Sequence, residues 1–156
     1  MSLYSALAGR IRESLSEIRN VVKRIDDYIR KAQTIDDQAY WDATALNLHG
    51  FYSGIEHIFE DIARTVDASV PLGPEWHVDL LIQMGSDMKD IRPPVVSRET
   101  RLCLDEYRGF RHVVRNVYTF NLRPSRIKDL ATDLPECYSS VMQELMAFAS
   151  FLDSLE

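Results

Sequence analysis

The sequence predicts an all-α protein, an antiparallel bundle of four long helices with one or two short ones. In three segments apolar residues recur at alternating spacings of three and four, which is the period of one helix face. The strict alternation typical of a β-strand appears nowhere at length. The three apolar series are Ile11, Leu15, Ile18, Val22, Ile25 and Ile29; Trp41, Ala45, Leu48, Tyr52, Ile55, Phe59, Ile62 and Val66; and Leu134, Tyr138, Val141, Leu145, Phe148, Leu152 and Leu155.

Capping and helix-breaking residues predict where the first three helices meet. Thr34, with Asp37 three residues later, resembles a capping box for the second helix. Pro74 suits the first turn of a short third helix near residues 74–90. The two prolines of "RPPVVS" then end this helix, because proline cannot continue a helix.

The remaining elements follow from the same signals. Ser97 is expected to cap a fourth helix that runs to about Phe120, where "NLRP" breaks it. Pro135 is expected to open the last helix. At 156 residues the chain is expected to form a single domain, 1–156.

Composition narrows the class of protein. Hydrophobic residues make up 46% and charged residues 27%, as in ordinary globular proteins. Apolar runs stay short of the roughly 18 residues needed to span a bilayer, and the N-terminus lacks a signal-peptide core. We therefore expect a cytoplasmic protein with no membrane segment. Cys103 and Cys137 have no CxxC spacing, which favours two reduced thiols over a disulfide or a metal site.

A basic segment interrupts this acidic chain, whose formal net charge is -6. From Tyr107 to Lys128 there is no Asp or Glu. The basic residues there are Arg108, Arg111, Arg115, Arg123, Arg126 and Lys128. Such a segment is either a solvated face, a set of partners for acids elsewhere, or an anion site. Guanidinium groups favour the last, because they bind phosphate bidentately and stay charged.

The predicted fourth helix divides this segment into two faces. At 100° per residue, one face carries Arg108, Arg111, His112 and Arg115. The opposite face, expected to be the core side, carries Phe110, Val113, Val117 and Phe120. An anion site, if these residues form one, would lie on this basic face and bind phosphate.

The segment "RHVVRNVY" resembles the R-x(4)-H-x-Y motif of HEPN-domain ribonuclease toxins of the HepT-like group, which belong to type VII toxin–antitoxin systems. Arg111 matches the arginine and Tyr118 the tyrosine, but Asn116 stands at the histidine position. The segments "ALNLHGFYSGIEHIFEDIA", "WHVDLLIQM", "RPPVVS" and "EYRGFRHVVR" also resemble that group, in the same order. The resemblance covers nearly the whole chain.

The resemblance implies a helical bundle that forms a homodimer and cleaves RNA, either tRNA or mRNA, without a metal or other cofactor. It makes Arg111, Asn116 and Tyr118 the catalytic positions, with the two motifs of the dimer facing one cleft. Arginine would stabilise charge on the phosphate and histidine would move a proton. The partner would be an MNT-type nucleotidyltransferase antitoxin, which silences the toxin by attaching AMP to the tyrosine, here Tyr118.

Asn116 departs from the motif in a way that matters chemically. An amide cannot exchange a proton near neutral pH, and general acid–base catalysis is worth about 10²–10⁴-fold. The chain is then a natural pseudoenzyme, an engineered inactive form, or an enzyme in which His112 moves the proton. Arg111 and Asn116 lie about 140° apart on an ideal helix, so they converge only where the helix ends or distorts, or across a dimer.

Two alternatives from other classes remain. The first is a non-catalytic helical module that binds RNA or nucleotide. The second is a di-metal carboxylate bundle, which the absence of repeated Glu-x-x-His disfavours. His49, Glu56 and His57 are accordingly expected to be surface or supporting residues rather than metal ligands. Trp76 is expected to cover the core and His77 to lie on the surface.

Overall fold

The computed structural model describes residues 2–116 and 122–155, without the side chains of Arg115 and Asn116. It confirms the all-α prediction. Five helices are described: α1 Leu3–Thr34, α2 Gln38–Ile62, α3 Trp76–Met84, α4 Arg98–Asn116 and α5 Pro124–Ser154. A π-helical turn, Ala63–Asp67, extends α2. Within the described ranges no helix is long and apolar enough to cross a bilayer.

The core lies where the three apolar series meet. α1 packs against α2 and α5, and α2 packs against α3 and α4. Most of the predicted seam residues are buried, including Ile11, Leu48, Ile55 and Leu145. Leu155 is an exception, because it follows the last turn of α5 and is about half exposed.

Ion pairs between helix ends give the directions of the helices. Arg10, near the start of α1, bonds Asp61 near the end of α2 at 2.8 Å. Arg12 lies 2.6 Å from Asp153 at the end of α5. α1 therefore runs antiparallel to both α2 and α5, as the sequence predicted.

Two predicted helix starts are wrong. Thr34 is the last residue of α1, and its hydroxyl donates to the carbonyl of Arg30. Asp37 alone caps α2, accepting from the Ala39 amide at 2.9 Å. α5 begins at Pro124 and continues through Pro135, because the apolar side chains on both sides of Pro135 are buried in the core and outweigh the lost backbone hydrogen bond.

The third helix is shorter than predicted, and the fourth is capped as predicted. α3 starts at Trp76, two residues after Pro74, and ends at Met84. The Thr100 amide donates to Ser97 Oγ at 3.2 Å. The predicted continuation of α4 from residue 117 to Phe120 lies outside the described residues.

A buried ion pair holds the loop between α3 and α4. Arg92 donates from Nε and Nη2 to the Asp67 carboxylate at 2.7 Å each, and both side chains are fully buried. The same guanidinium also donates to the carbonyls of Ser86, Pro93 and Gln83. Periodicity did not predict this anchor, which fixes the loop that leads into α4.

The expectation of two reduced thiols is wrong. Cys103 of α4 and Cys137 of α5 form a disulfide, with their Cα atoms 5.9 Å apart. The two helices pack side by side here, and the hydroxyl of Tyr107, one turn further along α4, donates to the Leu130 carbonyl of α5. Packing brings the cysteines together even though 34 residues separate them in sequence.

Candidate functional site

The core face of α4 is set by Leu104, Tyr107 and Phe110, which are buried at spacings of three. The prediction that Val113 shares this face is wrong, because its side chain is 39% exposed. Val114 packs partly against the core instead, one turn after Phe110. Val117 and Phe120 lie outside the described residues.

Arg108, Arg111 and His112 come together at one pocket, as the helical spacing predicted. The pocket has a volume of about 610 Å³. α3 and the turn before it form the other wall, through Gly73, Pro74, Trp76 and His77. The described residues that line it include four that can carry positive charge and no carboxylate.

Arg111 is held from α2 on the inner side of this pocket. Its Nε donates to Ser53 Oγ at 3.1 Å, and its Nη2 lies 3.8 Å from Oε1 of Glu56. The Arg111 side chain is only 15% exposed. The guanidinium is therefore fixed in position beside the pocket before any ligand binds.

Glu56 contacts two of the side chains that line the pocket, Arg111 and His77. Its carboxylate is only 2% exposed, and Oε2 lies 2.8 Å from Nδ1 of His77. Burial of a carboxylate is unfavourable unless it has charged or hydrogen-bonding partners. His77 and Arg111 supply them, so α2, α3 and α4 meet at this one carboxylate.

Arg108 forms an ion pair with an acidic residue on its own helix. Its Nε donates to Oδ1 of Asp105 at 2.7 Å. Arg126, outside the pocket, pairs likewise with Glu106 at 2.6 Å. The interpretation of the basic segment as partners for acids therefore holds for these two arginines and also for Arg111, which pairs with Glu56. Arg108 and Arg111 line the pocket as well.

Tyr52 lies in the core beneath the pocket and remains a neutral phenol. Burial raises its pKa above the ordinary range, and the nearby charge of Glu56 raises it further. A phenol with a raised pKa keeps its proton at neutral pH. Tyr52 is therefore a poor proton acceptor for chemistry in the pocket.

The opposite side of α4 has the reverse charge. A groove of about 520 Å³ between α4 and α5 is lined by five acidic residues and one basic residue: Glu99, Glu106, Asp129, Asp133, Glu136 and Arg126. The excess of acidic residues makes this groove unfavourable for an anion, whereas the lining of the pocket beside α3 includes no carboxylate among the described residues. The charge distribution thus distinguishes the two sides of α4.

Several predicted site residues are not located. Tyr118 lies outside the described residues, and so do the side chains of Arg115 and Asn116. The predicted cleft that would combine Arg111 with Asn116 and Tyr118 is therefore not described. Arg111 itself is described, and it lines the pocket between α3 and α4.

Sequence reasoning missed the contributions of α2 and α3 to this pocket. His77 was expected on the surface but is bonded to buried Glu56, and its side chain is 25% exposed. Glu56 and His57 of α2 were expected to be either surface or supporting residues. Glu56 is buried and supports the pocket through His77, whereas His57 is exposed on the surface. One signal in the sequence could have predicted that Glu56 is buried, since it lies between Tyr52 and Phe59 beside the apolar seam.

No group of metal-ligating side chains large enough to hold an ion occurs among the described residues.

The described part of the chain is thus a helical bundle with a cationic pocket between α3 and α4. The family model described as HepT-like protein matches residues 43–152, which include all the described residues of this pocket. The match covers more than half of the chain, so the protein belongs to the HepT-like family, as its sequence resemblance indicated. No curated protein and no solved structure matches the chain.

Proposed function

We propose that this protein is a HepT-like toxin that binds RNA through the pocket between α3 and α4 and cleaves it without a metal, at a rate reduced by Asn116. The observation that carries the proposal is the position of Arg111, braced by Ser53 and Glu56 beside a pocket whose described lining includes no carboxylate. A fixed guanidinium stabilises the charge that develops on a phosphate during cleavage.

RNA binding is the first test of this proposal. Fluorescence anisotropy with a labelled single-stranded RNA should show binding whose logarithmic affinity falls linearly with the logarithm of salt concentration. Arg111→Ala should reduce that slope by about one, because one phosphate contact is lost. Arg30→Ala is the matched control, since Arg30 lies on α1 and its side chain is 74% exposed. Absence of RNA binding by the unaltered chain would exclude the proposal.

The second candidate function is a non-catalytic module that binds RNA or nucleotide at the same pocket. Asn116 favours it, because an amide at the motif position cannot act as a general acid or base near neutral pH. Both candidate functions predict that RNA binds in the pocket, but only the toxin is expected to cleave it. Cleavage measurements on Asn116 variants therefore separate them.

The toxin proposal includes a homodimer whose two pockets share one cleft. Exposed apolar side chains on α4, Leu102 and Val113, support an additional packing partner for this helix. Sedimentation at micromolar concentration should give twice the mass of the chain. A monomer, or a dimer with Arg111 on its outer surface, would contradict this part of the proposal.

The proposal also includes silencing of the toxin by a nucleotidyltransferase antitoxin that transfers AMP to Tyr118. An added phosphate two residues from Asn116 would compete with RNA for the arginines. Incubation with the cognate transferase and ATP, followed by peptide mass spectrometry, should place the adduct on Tyr118. Adducts only on other tyrosines would contradict the assignment.

A further inference from the structure

The hydrogen bond between Glu56 and His77 has the geometry of a carboxylate that orients a catalytic imidazole. Glu56 is nearly fully buried, and its Oε2 lies 2.8 Å from Nδ1 of His77. The His77 ring also lines the pocket that contains Arg108 and Arg111. A titratable ring, its orienting carboxylate and two guanidinium groups thus meet in one place.

The carboxylate determines which nitrogen of His77 can accept a proton. When Glu56 is ionised, its Oε2 can only accept a hydrogen bond, so we assign the proton to Nδ1 and the free electron pair to Nε2 of His77. Glu56 also stabilises the imidazolium that forms when Nε2 is protonated. Imidazole ordinarily titrates near pH 6.5, which suits proton transfer close to neutral pH.

We propose that His77 is the general base for the residual RNA cleavage of this protein and supplies the proton transfer that Asn116 cannot. The inference rests on the proposed function, because it requires RNA in the pocket. Nε2 of His77 takes the proton of a ribose 2′-hydroxyl, and the 2′-oxygen forms a bond to phosphorus. The bond from phosphorus to the 5′-oxygen breaks, and that oxygen takes a proton from water. The products are a 2′,3′-cyclic phosphate and a 5′-hydroxyl, and His77 returns its proton to water.

Two other titratable side chains near His77, Tyr52 and His112, must be considered as the general base. Tyr52 keeps its proton, because burial raises its pKa. His112 is a second imidazole that lines the same pocket, so it is the alternative base and is tested in the same experiment. The charged or titratable groups near His77 are Glu56 of α2, Arg108, Arg111 and His112 of α4, and Glu75 and Asp79 in its own segment.

The experiment measures cleavage of a labelled RNA by the full chain with a chelator present, from about pH 5 to about pH 9, on both sides of the ordinary histidine pKa. His77→Gln retains a side-chain N–H for Glu56 but cannot accept a proton. We expect it to lower kcat by about 10²-fold or more while RNA affinity stays within about twofold. His57→Gln is the matched control, because His57 is exposed on α2 and does not line this pocket.

The unaltered protein gives a second reading that needs no substitution. Its rate should fall as pH drops below the histidine pKa, because imidazolium cannot accept a proton, and this acidic limb should disappear in His77→Gln. An RNA with a 2′-deoxy sugar at the cleavage position should bind but remain intact. A flat pH profile of the unaltered chain, or cleavage of the deoxy substrate, would overturn the proposed step.

The remaining outcomes separate this inference from the proposed function. A His77→Gln variant that retains the rate, together with a His112→Gln variant that loses it, would make His112 the base. RNA binding without any cleavage would exclude His77 as a catalytic residue and leave the binding site intact. Failure to bind RNA would exclude the proposed function itself. Circular dichroism confirms folding of each variant, and His77→Asn replaces His77→Gln if the latter unfolds.

Discussion

The Nε atom of Arg111 lies 3.1 Å from Oγ of Ser53, so a residue of α2 fixes the direction of a guanidinium that extends from α4. Lysine at this position would keep the charge but lose the planar fork and the bond to Ser53. Arg111→Lys should therefore weaken RNA binding by about tenfold or more, as loss of a charged hydrogen bond does. Anisotropy titrations at one fixed salt concentration measure the change.

Two variants complete this prediction. Ser53→Ala keeps the guanidinium of Arg111 and removes only its hydrogen bond to Ser53 Oγ. We therefore expect Ser53→Ala to weaken RNA binding less than Arg111→Lys does. Arg30→Lys, on the exposed face of α1, should leave affinity unchanged. Equal affinities for Arg111→Lys and Arg30→Lys would show that Arg111 does not contact RNA.

The Cys103–Cys137 disulfide predicts a stability that depends on reducing agent. The bond joins α4 to α5 across a sequence separation of 34 residues. Closing a loop of this size restricts the unfolded chain, and losing it typically costs about 2–4 kcal/mol. Urea unfolding with and without reductant should show this difference in the free energy of unfolding.

A serine pair provides the control for the disulfide. The variant Cys103→Ser with Cys137→Ser should unfold like the reduced protein and should not respond to reductant. Thiol titration of the denatured, unreduced protein should find no free cysteine. Two titratable thiols, or the same unfolding midpoint under both conditions, would show that the bond does not form in solution.

The buried pair of Arg92 and Asp67 predicts a large effect of one substitution. Arg92→Met would leave the Asp67 carboxylate buried without its counter-ion, and three carbonyls would lose a donor. Breaking a buried pair in this way costs about 3–5 kcal/mol. Thermal and urea unfolding should show the loss.

A surface pair gives the comparison for this substitution. Arg30→Met breaks the exposed pair of Arg30 with Asp26 and should change the free energy of unfolding by about 0.5 kcal/mol or less. Similar effects of the two substitutions would contradict the structural role assigned to Arg92.

The sequence predicted the features that depend on residues close together in the chain. Seam residues such as Ile18, Tyr52 and Val141 repeat with the helix period, and burial followed from that period. The cap at Ser97 and the cationic face of α4 were predicted for the same reason. Pro135 was misread because a local helix-breaking signal was outweighed by core packing along α5.

The features that the sequence did not predict depend on contacts between helices. His77 and Glu56 are 21 residues apart, and only the packing of α3 on α2 brings them together. The disulfide likewise depends on the contact between α4 and α5. Val113 was placed on the core side because the face was defined from Phe110 and the residues after it. The buried stripe includes Leu104 and Tyr107, earlier in the helix, and its direction leaves Val113 at the edge.

The most direct test of the proposed function is the cleavage rate of Asn116→His with a chelator present. A histidine at the motif position should accelerate cleavage of a labelled RNA by about 10²-fold or more over the unaltered chain, because it restores a proton carrier. Arg111→Ala in that background should abolish the gain, since the charge on the phosphate would lose its partner. If Asn116→His remains folded and binds RNA but cleaves no faster than the unaltered protein, Asn116 does not limit cleavage, and the account of a ribonuclease disabled at this position is contradicted.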